Sequence, residues 1–218
     1  MLWHMAKQSS APLSGRRAQA ARNDQLILEA AREVFVADPG APVSAVANRA
    51  GVGISALYRR YENKEELLRR VSADGLERYI AAAESAIADH GDPWSAFVEF
   101  MRRVVEADTH SLTVRVAGTF EPTEELYRRA ERAQQLNVQL LERAQRAGAV
   151  RPDLAVDDLS FLFEQLASVR APDELRTRQL RERYLALFLD ALHTPSSVPL
   201  PGPAPSWEEV SQRWQRAR

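Results

Sequence analysis

The stretch Val43-Ser44-Ala45-Val46-Ala47-Asn48-Arg49-Ala50-Gly51-Val52-Gly53-Ile54-Ser55-Ala56-Leu57-Tyr58-Arg59-Arg60-Tyr61 reads as two short helices joined by a tight turn. Such a steep crossing needs a small residue where the helices touch, a residue that tolerates positive φ in the turn, and apolar anchors on both inner faces. Ala47 supplies the small contact and Gly51 the turn, while Val46, Ala50, Val52, Leu57 and Tyr61 supply the anchors. Ile54, Ser55, Arg59 and Arg60 are left on the outer side of the second helix, whose N-terminal end has the form that enters a DNA major groove. Gly53 falls at its N-cap, where glycine is tolerated without a capping oxygen. Tyr58 can donate its hydroxyl to a phosphate with its ring half buried, and Lys64 opens the next helix, whose N–H groups and dipole favour a phosphate. With Ser44 these residues form the candidate DNA-contacting set. From pattern alone, an ordinary helical hairpin with an Arg-bearing solvated face fits equally well.

Working outward, the 218 residues are dominated by Ala, Leu, Glu and Arg, which favour helix, so the chain is expected to be all-α. The absence of cysteine removes disulfides and thiolate zinc sites and fits a reducing cytoplasm. No apolar run reaches the roughly 20 residues needed to span a bilayer, and the start of the chain lacks the apolar stretch of a secretory signal. A cytoplasmic protein is therefore expected. Net charge is −1, but residues 1–70 hold 11 Lys and Arg against 7 Asp and Glu. A basic front on an acidic body suits a DNA-reading module attached to a body that does not bind DNA.

The organisation reads as a flexible basic arm over 1–21 with Arg16 and Arg17, a helix-turn-helix domain over 22–68, a helical body over 69–194, and a proline-rich tail over 195–218. A first helix is expected from Asn23 to Ala37, with Ile27, Ala31, Val34 and Phe35 on one face. The two short helices fall at 43–50 and 54–61, and a long helix starts near Lys64. Further helices are expected from Pro93, over 109–120, from Glu121 to about Ala147 with Gly148 at the C-terminal cap, and over 156–170 and 173–193. The alternation in 109–120 would also suit a strand, but the chain offers no partner strand. A short amphipathic piece, Trp207 to Trp214, closes the chain.

The order Ala50-Gly51-Val52-Gly53-Ile54-Ser55-Ala56-Leu57-Tyr58-Arg59-Arg60-Tyr61-Glu62-Asn63-Lys64-Glu65-Glu66-Leu67-Leu68 resembles the signature of the TetR family of transcriptional regulators. With the preceding helix, the match runs from about Arg22 to Leu68. Gly53 replaces the usual capping serine, Ala56 a threonine that often touches phosphate, and Arg60-Tyr61 a His-Phe pair. These departures bear on which operator is read; Arg59 and Arg60 could each grip a guanine or a phosphate. The resemblance implies a C-terminal domain that dimerises and binds an effector. It points to a repressor released from a near-palindromic operator by a small molecule, acting as a homodimer without a cofactor. Leu159, Leu162, Phe163 and Leu166, with Tyr184, Leu187, Phe188 and Ala191, are the expected stripes of the dimer's four-helix bundle.

Trp94, Phe97, Met101, Val104, Phe120, Tyr127 and Phe161 could line an effector cavity, with His110 and Arg115 as polar orienters, which suggests an apolar or aromatic effector. The four histidines are scattered and fall in no metal-binding frame, and neither a glycine-rich phosphate loop nor a Gly-x-Ser-x-Gly turn occurs. Neither an enzyme nor a metal protein is expected. The reading from another class is a ligand-independent DNA-architectural or helical interaction protein whose body holds no cavity.

Overall fold

The structure, a computed structural model, describes residues 15–193 and 198–212, with side chains from residue 22 onward. The described residues form ten helices: α1 (Gly15–Ala37), α2 (Val43–Ala50), α3 (Ile54–Tyr58), α4 (Lys64–Ala88), α5 (Pro93–Glu106), α6 (Thr109–Val116), α7 (Glu124–Arg146), α8 (Val156–Ser168), α9 (Glu174–Leu192) and α10 (Trp207–Gln212). The all-α expectation holds, and the segment that could have been a strand is helix α6.

Helix α1 starts at Gly15, eight residues before the expected Asn23, so 15–21 belong to a helix and not to an arm. Residues 1–14, and the Trp214 end of the expected last helix, lie outside the described residues. The third helix is shorter than expected: α3 closes at Tyr58, and Arg59 and Arg60 form a turn before α4. Helix α7 begins at Glu124 because Thr123 caps it by accepting from the Leu126 N–H at 3.3 Å. Asn63, Asp92 and Asp173 cap α4, α5 and α9 in the same way, each satisfying a backbone N–H that the first turn cannot. Gly51 and Gly148, both at φ +67°, adopt the left-handed turn that ends α2 and α7.

Two apolar cores result. The head core gathers Ile27, Ala31 and Phe35 of α1 with Val46, Ala47, Leu57, Leu67 and Val71. Leu112 and Val116 of α6, Phe120 of the connection and Leu126 of α7 join it. The head therefore does not end at Leu68 in packing terms, because the body supplies part of its core. The body core holds Tyr79, Phe97, Phe100, Met101, Val104, Leu136, Leu159, Phe163, Leu166 and Leu185. Helix α4, about 37 Å long at 1.5 Å per residue, runs through both.

Two arginines fix the body's joints, the buried Arg181 and the exposed Arg115. Arg181 donates to Asp108 Oδ1 at 2.7 Å, Ser111 Oγ at 3.0 Å, and the carbonyls of Ala167 and Val169. Asp108 takes the left-handed conformation at φ +48° to begin α6, and Arg181 holds it there. Arg115 of α6 donates to the Val36 and Ala37 carbonyls at 3.0 Å each, supplying the positive charge that α1's own last turn lacks.

Candidate DNA-reading face and effector cavity

The crossing of α2 and α3 is built as the residue types require. Val46, Ala47 and Leu57 are buried, while Gly51 turns the chain without crowding. Ser44, Gly53, Ile54, Ser55, Tyr58 and Arg59 remain exposed, with Tyr58 51 % accessible. A Cβ at Gly53 would meet nothing within 4 Å, so glycine there leaves the N-terminal end of α3 bare without any packing need for it.

Arg60 and Lys64 depart from their expected outward role. Arg60 Nη1 donates to Asp24 Oδ1 at 2.6 Å, and the Tyr61 hydroxyl donates to the same oxygen at 2.8 Å. The pair ties the turn after α3 to α1, so Arg59 is the better placed of the two arginines to reach a duplex. Lys64 Nζ donates to the Pro39 and Ala41 carbonyls at 2.7 and 2.8 Å and lies 5.1 Å from the Phe35 ring centroid. That ammonium holds the α1–α2 loop against the head. Asp24 is the residue that sequence reading missed here, because a pairing across 36 positions leaves no local pattern.

The body encloses a cavity of about 290 Å³ among α4, α6, α7, α8 and α10, at the small end of the range for ligand sites. His110 and Tyr127, both expected, line it. The other expected pocket residues do not. Phe97 and Met101 are fully buried in the body core and Phe120 in the head core, where packing leaves no free surface. Val104 borders only a void of about 10 Å³, too small for a ligand. Trp94 packs against Phe97 and His193, and half-buried Phe161 is absent from the lining. Arg115 serves the end of α1, as described above.

Ser72, Gly75, Leu76 and Tyr79 form the α4 wall, and Ala130, Ala133, Gln134 and Asn137 much of the α7 wall. Each set falls at helical spacing, and small or amide residues stand where a packed core would place large apolar ones. That is the signal by which sequence reading could have found the cavity. Tyr79 donates its hydroxyl to Asn137 Oδ1 at 2.8 Å, and burial pushes its pKa well up. His110 is partly buried beside the Tyr79 and Phe163 rings, with Nδ1 3.2 Å from Thr109 Oγ1, and desolvation lowers its pKa to about 4, so the imidazole is neutral at pH 7. Ser72 Oγ is buried without a hydrogen-bond partner. Arg32, from the head, reaches the cavity while pairing with Asp74 at 2.7 Å.

The expected dimer stripes divide. Leu159, Phe163 and Leu166 are buried inside the protomer, so they cannot form an interface. Tyr184 and Leu187 are 41 % and 56 % exposed, Ala191 is exposed, and Leu162 and Phe188 are half-buried. Among the described residues, no group of three or more His, Asp or Glu could hold a metal, and no helix is long and apolar enough to cross a membrane.

Comparison with known proteins gives a consistent picture. Residues 27–71 match the profile described as bacterial regulatory proteins of the TetR family, and 92–194 match that of the SbtR-like transcriptional regulator C-terminal domain. A TetR transcription regulatory protein from Mycobacterium vanbaalenii is 31 % identical, with 82 % of this chain and 99 % of that one covered and a TM-score of 0.58. The regulator SCO0520 from Streptomyces coelicolor is 25 % identical over 79 % of this chain and 99 % of its own, also with a TM-score of 0.58. The transcriptional repressor LfrR of Mycolicibacterium smegmatis is 32 % identical over 103 residues, 47 % of this chain. The chain spans about half the length (52 %) of that curated relative.

Proposed function

Because this chain belongs to the TetR family of bacterial transcriptional regulators, we propose that it is a homodimeric repressor released from a near-palindromic operator by a small-molecule effector. The observation that carries the proposal is the exposed row Gly53, Ile54, Ser55, Tyr58 and Arg59 on a helix whose opposite side is fixed by buried Leu57. Each protomer lays the N-terminal end of α3 in a major groove, and the dimer spaces two such ends by about 34–36 Å along the duplex. Tyr58 and Arg59 contact phosphate or base edges, so affinity falls steeply with added salt.

The exposed apolar face of α8 and α9, carrying Leu162, Tyr184, Leu187, Phe188 and Ala191, is the dimer face. Its symmetric pairing makes a four-helix bundle. Sedimentation of Leu187→Arg is expected to give a monomer where the unaltered chain is a dimer.

The 290 Å³ cavity is the effector site, and its presence speaks against the ligand-independent architectural reading. Helix α6 couples it to the head, since His110 and Leu112 line the cavity while Arg115, on the same helix, holds the end of α1. An effector that displaces α6 moves the reading heads apart. Near-complete release requires it to favour the released state by about 5.5 kcal/mol.

The test is selection of duplexes from a random pool by the purified protein, followed by anisotropy titration at several salt concentrations. A selected near-palindrome bound with a steep salt dependence is the expected result. Binding no duplex better than heparin at low ionic strength would overturn the proposal.

A further inference from the structure

The cavity is completed by a segment that neither matched profile reaches. The C-terminal profile ends at residue 194, yet Trp207 and Val210 of α10 stand in the cavity wall. We propose that residues 198–212 are a cis-acting closure of the effector site and that Trp207 contacts the ligand, a flat, mainly apolar molecule that carries no negative charge and has one or two hydrogen-bonding groups. The inference rests on reading the cavity as an effector site.

A six-residue helix has too few hydrogen bonds to persist by itself. Two devices hold α10 in place. Ser206 and Glu209 form a reciprocal cap: the Ser206 N–H donates to Glu209 Oε2 at 2.7 Å, and the Glu209 N–H donates to Ser206 Oγ at 3.3 Å. Upstream, buried Arg151 donates to Asp153 and to the Val198 carbonyl at 2.7 Å, while Asp153 accepts the Leu200 N–H at 2.8 Å. The Arg151 hydrogen bond, with that from Leu200, holds the Asp153 carboxyl well below the usual carboxylate range, so the clamp stays charged at physiological pH. Prolines at 199, 201, 203 and 205 stiffen the span between clamp and helix, and Gly202, at φ +77°, bends it.

The closure is firmly tethered but lightly seated. No residue of α10 is fully buried, and Trp207 keeps 37 % of its surface exposed. It can therefore lift at small cost while the two cores stay folded.

The walls define the ligand class. Trp207, Tyr127 and the neutral His110 offer aromatic surface, which favours a flat ring system. Arg32 is already paired with Asp74, so the walls offer no spare positive charge to repay the desolvation of an anion. The partnerless Ser72 hydroxyl supplies a hydrogen bond to an incoming polar group.

The test is fluorescence titration with N-phenyl-1-naphthylamine, an uncharged aromatic probe. The full chain is compared with Trp207→Ala, with a chain ending at Thr194, and with Gly75→Leu. A Cβ at Gly75 meets nothing within 4 Å, so a leucine there grows into the cavity from a fixed wall. Trp207→Ala and the shortened chain are expected to bind the probe at least tenfold more weakly and release it faster, and Gly75→Leu not to bind it. If Gly75→Leu abolishes binding while the other two bind like the full chain, the closure is overturned and the effector site stands. Binding by Gly75→Leu equal to that of the full chain, or no binding by the full chain, overturns both. Circular dichroism melting checks the fold of the shortened chain, and Trp207→Ala decides alone if that chain is unfolded. Equal affinity for anionic 1-anilinonaphthalene-8-sulfonate would overturn the exclusion of anions.

Discussion

The head and the body solve opposite problems with the same helical material. In the head, short helices pack small and branched residues without waste and turn their chemistry outward, so α3 keeps Leu57 buried and Tyr58 and Arg59 exposed. In the body, longer helices leave part of their inner surface unpacked. Gly75, Ala130 and Ala133 leave space between their helices, and beside it Ser72 is buried without a hydrogen-bond partner. A displayed surface can sit on a fully packed support, whereas a cavity holds free volume at a cost in stability. The contrast implies that head substitutions should change binding without changing folding, and that cavity substitutions should do the reverse in the free protein.

The largest expected effect lies where the body is packed as tightly as the head. Phe97→Ala should cost about 3–5 kcal/mol in urea unfolding, since Phe97 is wholly buried and a cavity would remain. A cost below about 1 kcal/mol would mean that the body core is not close-packed. Next comes pH. His110 is held at about 4 when folded, against about 6.5 in the unfolded chain. Between those values the unfolded chain takes up a proton that the folded one refuses, so stability is full above pH 6.5 and falls as pH drops toward 4. The loss attributable to this group reaches about 3 kcal/mol, and His110→Gln should flatten that part of the urea-derived pH profile. An unchanged profile would show that the ring is hydrated.

The head supplies the next test. Tyr58→Ala and Arg59→Ala should each weaken binding to a selected operator about tenfold, with the urea-derived unfolding free energy changed by no more than about 0.5 kcal/mol because both side chains are exposed. A large loss of stability in either would erase the contrast. The smallest effect sharpens it from the other side. Gly75→Ala should raise stability by about 1 kcal/mol, since the added methyl enters open space on α4 and glycine is a poor helix former. A destabilised variant would mean that the space beside Gly75 is already filled.

What could be read in the chain followed distance along it. The hairpin of α2 and α3 was readable because its requirements lie within 20 residues: a small contact at Ala47, a left-handed turn at Gly51, and anchors at fixed spacing. The caps at Asn63 and Asp92 are equally local. The pocket residues were mostly misread because a large apolar side chain gives the same signal in a wall as in a core. Phe97, Met101 and Phe120 were core, and the walls were betrayed instead by glycine, alanine and amides at helical spacing. Leu159, Phe163 and Leu166 failed as interface residues for a related reason, since a stripe does not say which neighbour covers it.

The sequence by itself determined that this protein is helical, that it carries a helix-turn-helix near its front, and which side of α3 is displayed, because those features depend on backbone preferences and on neighbours one or two turns away. Only the tertiary structure decided that Arg60 and Lys64 turn inward, that Arg115 closes the end of α1, and that a helix from the tail walls the cavity. Each of those depends on partners brought together from distant parts of the chain, and such pairings are fixed only when the whole fold competes for the same polar groups and the same buried volume.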